Sequence, residues 1–94
     1  MSNKKRVRDT AVALKYKDGE DNAPRVVAKG YGITAEKIRE IAKEKGIPVT
    51  RDDALAEVLS QIELDREIPP PLYAAVAEIL AMVYKANNAI GQQK

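Results

Sequence analysis

Arg25-Val-Val-Ala-Lys29-Gly-Tyr-Gly32-Ile-Thr-Ala-Glu-Lys-Ile-Arg-Glu-Ile-Ala-Lys-Glu-Lys45-Gly46 passes from strand to helix to stop without an intervening loop. Arg25–Lys29 is short and rich in β-branched residues, so it reads as a strand. Gly30-Tyr-Gly32 is expected to break it. Thr34 then has the chemistry of an N-cap, with Ile33 and Ile38 spaced as a hydrophobic staple. The helix predicted over Ala35–Lys45 gathers Ile38, Ile41 and Ala42 on one face, while Glu36, Lys37, Arg39, Glu40, Lys43 and Glu44 mix charges on the other. Gly46 is expected to end it as the residue just past the cap.

Upstream, Val12, Leu14 and Tyr16 alternate with small or polar residues, which predicts a strand over Thr10–Tyr16. The polar run Lys17–Asn22 has turn chemistry at Asp18-Gly19 and Asn22, so the two strands form an antiparallel hairpin. Pro24 cannot donate to a ladder and belongs at or before the second strand's first residue.

Downstream, Ile47-Pro-Val-Thr50 reads as a third strand. Crossing to it through the helix would make a right-handed βαβ unit with the second and third strands parallel. Asp52 or Asp53 can cap a second helix whose stripe is Leu55, Val58, Leu59 and Ile62. Glu63–Ile68 is a connector. Pro69-Pro-Pro71 supplies a proline for the first turn of a last helix running from about Leu72 to Lys85. Its apolar residues, among them Leu72, Tyr73, Val76, Ala77, Ile79 and Leu80, cover more of the surface than one neighbour can bury. The expectation is an α/β (α+β) fold, a mixed sheet of three to four strands packed with three helices, in the order strand, strand, helix, strand, helix, helix. Residues 1–9 form a basic N-terminal segment, 10–86 the domain, and 87–94 a polar, frayed end.

Ninety-four residues suffice for one domain. The chain has no Cys and no His, which removes disulfides, thiolate nucleophiles, Cys-ligated metals and the commonest general base and metal ligand. Asp52-Asp53 is better explained as a helix cap than as an acid/base pair or a Mg²⁺ site. Glu63, Asp65 and Glu67 read as a solvated edge. Gly30-Tyr-Gly32 lacks the further glycine or Lys-Ser pair of a phosphate loop. No catalytic residue, metal or cofactor is expected. Without an apolar run of membrane-spanning length or a signal peptide, the protein is expected to be cytoplasmic.

Residues 1–17 carry six basic side chains and one acidic, +5, while the rest carries ten basic and thirteen acidic, −3. A phosphate-facing role for Lys4, Lys5, Arg6 and Arg8, on nucleic acid or an anionic membrane surface, is the alternative function. The four tyrosines are dispersed and the body is net acidic, so nucleic acid is not the expected partner. The small and apolar residues at Ala23-Pro24 and the surplus apolar width of the last helix fit a binding module for a short peptide better.

Several blocks in order, Ala11-Val-Ala-Leu-Lys-Tyr16, Ala23-Pro-Arg-Val-Val-Ala-Lys-Gly30, Ala35-Glu-Lys-Ile-Arg-Glu-Ile-Ala42, Ile47-Pro48, Leu55-Ala56 and Leu72-Tyr-Ala-Ala-Val-Ala-Glu-Ile-Leu-Ala81, resemble the cytoplasmic domain of the FlhB family. That resemblance implies a component of flagellar or virulence type III protein export. Its partners would be export substrates or their chaperones, the hook-length regulator and export-gate components, met at the cytoplasmic face of the apparatus. It also implies a substrate-binding site at Ala23, Pro24, Ala77 and Leu80. Family members carry an Asn-Pro-Thr-His motif whose asparagine cyclises and cleaves the chain. Arg6-Val7-Arg8-Asp9 stand there instead, so no self-cleavage is expected, and the chain resembles a stand-alone counterpart of the family's domain without its membrane portion.

Overall fold

The computed structural model describes residues 8–17 and 19–81. Strand β1, Thr10–Lys15, pairs antiparallel with β2, Arg25–Tyr31. The alternation that predicted the hairpin also sorts its two faces. Ala11↔Gly30 and Ala13↔Ala28 put small residues together on one face, while Val12↔Lys29 and Leu14↔Val26 lie on the other. A bulge between Ala13 and Leu14 skips Val27, which keeps Val26 inward, fully buried, and leaves Val27 exposed.

Helix α1, Ile33–Glu44, lies against both strands on the small-residue side. Its Ala35 is fully buried. A Cβ on Gly30 would run into the Thr34 side chain, so the glycine permits the close approach. This corrects two expectations. The strand continues through Gly30 and Tyr31, and the break falls at Gly32, whose φ of 57° favours glycine. Gly32, not Thr34, is the N-cap, and it makes no side-chain cap bond. Thr34 is drawn into the first turn by its packing on Gly30. Ile33 is 76% exposed, so no staple forms, and Ile41 is turned outward while Ile38 and Ala42 are half-buried. Gly46 ends α1 as expected: Ile47 N–H donates to Ala42 O at 2.8 Å and Gly46 N–H to Lys43 O at 3.2 Å, with Gly46 at φ 72°.

The predicted third strand does not form. Residues 47–50 are exposed throughout, and among the described residues the sheet has two strands. Proline removes a donor from so short a run, and the outer edge of β2 is already taken. Val26 N–H donates to Arg66 O at 3.1 Å, Asp65 N–H to Val26 O at 2.6 Å and Ile68 N–H to Pro24 O at 2.9 Å, with Arg25 bridging antiparallel to Glu67. The stretch expected to be a solvated connector therefore supplies the third extended segment, and the parallel βαβ unit is absent. The architecture is α+β.

Helix α2, Asp53–Leu59, is capped by Asp52, whose Oδ1 accepts from Leu55 N–H at 3.0 Å. It sits on the other face of the hairpin. Lys29 reaches its C-terminal end, donating from Nζ to Ser60 O at 2.9 Å and Ile62 O at 2.7 Å, where a cation also complements the helix dipole. Val58 of the predicted stripe is exposed. A 3-10 turn over Pro70–Leu72 leads into helix α3, described over 73–81. Val26, Leu59, Ile68 and Val76 form the core, with Val12, Leu14, Leu55, Ile62, Leu72 and Leu80 packed around it. The predicted end of the last helix, the N-terminal residues up to Val7 and the segment 87–94 lie outside the described residues.

Candidate protein-docking site

The four residues expected to bind a partner come from the loop before β2 and from α3. Ala23 and Pro24 are both buried, Ala23 at 2% exposure. Pro24 keeps its carbonyl for the Ile68 N–H, so this Ala-Pro pair is built into the fold and not open to solvent. Ile68 links it to α3, because Ile68 and Val76 share the core and Leu80 packs against it. Leu72, Val76 and Leu80 recur every four residues, which aligns them on one face of the helix. That inward line anchors α3 on Ile68.

Ala77 is exposed. With Tyr73, which is 43% exposed, and exposed Ala81, it forms a second line at the same spacing, facing outward. The four residues thus differ in exposure: Ala23 and Pro24 are buried, Leu80 is half-buried against the core, and Ala77 is on the surface. Tyr73 counted toward the helix's apolar girth in the sequence without standing out as a site residue, although its spacing of four from Ala77 is a legible signal.

Of the four positions that replace the cleavage motif, Arg6 and Val7 lie outside the described residues. Arg8 and Asp9 sit immediately before β1 and point to opposite sides of it, as alternation requires. Arg8 forms an ion pair with Glu57 of α2, and its guanidinium lies 4.0 Å from the centre of the Tyr31 ring. Thr10 Oγ1 donates to Glu57 Oε1 at 3.0 Å, and Tyr31 OH donates to Ser60 Oγ at 3.0 Å. Asp9 receives a two-pronged pair from Arg39 of α1, both bonds 2.9 Å, while its carbonyl accepts from Gly32 N–H at 2.8 Å. The Arg39 hydrogen bonds hold the Asp9 carboxyl below its ordinary value, and the Arg8 hydrogen bond, with a smaller part from Thr10, does the same for Glu57. Both guanidinium groups are raised in return. These pairs span separations of 30 and 49 residues, for which a sequence offers no local signal. Arg8 is committed within the fold, which takes one of four cations from the phosphate-facing reading; Lys4, Lys5 and Arg6 are among the residues not described.

A model of the FlhB HrpN YscU SpaS family matches residues 8–83. The chain belongs to that family. Protein YlqH of Bacillus subtilis, itself uncharacterized, is 40% identical over 84 residues, covering 89% of this chain and 90% of YlqH. The flagellar biosynthetic protein FlhB of Aquifex aeolicus is 53% identical over 74 residues, covering 78% of this chain but 21% of that protein. Among solved structures, the cytoplasmic domain of FlhB from Shewanella putrefaciens superposes with a TM-score of 0.82 at 38% identity, over 89% of this chain and 66% of that one. Among the described residues, no helix of this FlhB-family chain is long and apolar enough to cross a membrane.

Proposed function

We propose that this chain is a non-catalytic docking module of the flagellar or type III protein-export apparatus, working at its cytoplasmic face. It binds a short apolar segment of an export substrate, its chaperone, the hook-length regulator or a gate component. The observation that carries this reading is the match over residues 8–83 to a family that includes the flagellar biosynthetic protein FlhB. On this reading the docking surface is the exposed line of α3, with the small Ala77 between Tyr73 and Leu80 on a helix whose Val76 packs with Ile68 in the core. A short apolar side chain fits such a position without displacing the core.

Ala77→Asp is the test. It places a charge on the exposed line and leaves the core untouched, so the variant should melt like the wild type and lose binding to the N-terminal peptide of a flagellar export substrate by tenfold or more, on the order of 1.4 kcal/mol. Unchanged binding by the folded variant overturns the site. Leu80→Asp and Pro24→Asp are poorer probes, because both residues pack inward.

Self-cleavage is not part of this function. Asparagine cyclisation requires the side-chain amide as nucleophile, and Arg6 has none to offer. Intact mass after prolonged incubation should remain that of the full chain; a cut between Arg6 and Val7 contradicts this.

A further inference from the structure

The residues just ahead of β1 carry a device that the docking role does not use. Two consecutive side chains reach two helices on opposite faces of the hairpin, Arg8 to Glu57 of α2 and Asp9 to Arg39 of α1. Isolated surface ion pairs contribute little, but ideal forked geometry and membership of a network are the two conditions under which they count. Both hold here. Arg39 meets Asp9 through two parallel bonds, and Arg8 meets a carboxylate that also accepts from Thr10 while its guanidinium rests on Tyr31. Tyr31 in turn is tied through Ser60, whose hydroxyl donates to Glu57 O at 2.7 Å. Gly32 N–H also donates to Asp9 O at 2.8 Å, between the two pairs.

We propose that Arg8 and Asp9 form a two-sided ionic strap that fastens the start of β1 to α1 and α2 together, and that this end of the hairpin opens as a local unit when the strap is released. The cluster of Val26, Leu59, Ile68 and Val76 includes no residue of this end: Thr10 pairs with Tyr31, and the buried apolar side chains beside them are the small Ala11 and Ala35. Release therefore costs ladder, ion-pair and side-chain hydrogen-bond contacts and the Arg8–Tyr31 stacking, with little apolar burial, so the Val26 cluster persists. Local opening of this kind is expected wherever buried apolar contacts are few. The strap also fixes the direction in which the chain enters the fold, independently of any partner at α3.

Amide hydrogen exchange on the full chain tests this. Arg39→Ala should accelerate exchange at the Gly32 amide by roughly two- to fivefold, the range expected for one well-formed ion pair. The Val26 and Ile68 amides should keep their wild-type rates. Glu57→Gln should accelerate the Thr10–Val12 stretch in the same way, and raising salt to 1 M should reproduce both effects in the wild type. Exchanging the charges, Asp9→Arg with Arg39→Asp, should return the Gly32 rate toward the wild-type value. An unchanged Gly32 rate in Arg39→Ala overturns the strap. So does a rise shared by all amides, which would mean global destabilisation rather than a local unit.

Discussion

Residues 47–50 follow α1 and residues 65–68 follow α2, each a short linking stretch, yet they meet opposite fates. The second lies along β2, exchanges three backbone hydrogen bonds with Pro24 and Val26, and drives Ile68 into the core at 2% exposure. The first carries Ile47 and Val49 at 52% and 58% exposure and joins no strand. The difference is not β-propensity, which favours Ile-Pro-Val-Thr over Asp-Arg-Glu-Ile apart from the proline. It is access to an open edge. One edge of β2 is filled by β1, and the other goes to the segment whose end can also bury an isoleucine beneath α3. A left-handed Asp65, φ 67°, makes the turn that sets this up, a conformation that Asp tolerates better than most residues.

The comparison breaks most visibly at Ile68. Ile68→Ala empties a site shared by Val26, Leu59 and Val76, and should cost about 2–5 kcal/mol in denaturant unfolding. Because Ile68 also backs α3, binding at Ala77 should weaken with it. A loss below about 1 kcal/mol would show that 65–68 is not integral to the core.

Acid sharpens the contrast between neutral and charged fastenings. The 65–68 ladder is made of backbone groups and does not titrate. The strap carboxyls, Asp9 and Glu57, have folded-state values held below their unfolded ones, so their contribution is complete above the ordinary carboxylate range of about 4 and fades as pH falls through the folded-state values. Unfolding temperatures of wild type and Asp9→Asn should differ near pH 7 and converge at strongly acid pH. A gap that persists unchanged to low pH contradicts the ion-pair origin.

The smallest effect belongs to 47–50. Val49→Ala removes exposed surface from an unpaired segment and should leave stability within about 0.5 kcal/mol of the wild type. A cost of several kcal/mol would mean that this segment is covered after all.

What could be read in advance follows from which interactions are local. The hairpin, the helix stop at Gly46 and the Asp52 cap are decided by residues within a few positions of one another, and all three are present. Thr34 had cap chemistry but lost that role, because a glycine already ended the strand and the threonine methyl fills the space beside Gly30. The allocation of β2's second edge, the bulge at Val27 and the pairs from Arg8 and Asp9 depend on chain segments tens of residues apart, and periodicity does not report them. The family resemblance marked Ala23, Pro24, Ala77 and Leu80 as a set; only the fold separates the buried Ala23 and Pro24 from the exposed Ala77 and puts Tyr73 on the same open line.

Among the described residues, the 47–50 segment and the outward line of α3 are two exposed apolar stretches. A hydrogen-exchange footprint of the full chain, with and without the N-terminal peptide of a flagellar export substrate, decides between them. The docking account predicts slowed exchange concentrated in residues 73–81 and at the adjoining 23–26 stretch, with 47–50 unchanged and the pattern insensitive to salt. Protection confined to 47–50, or no protection anywhere while the peptide is bound, would contradict it.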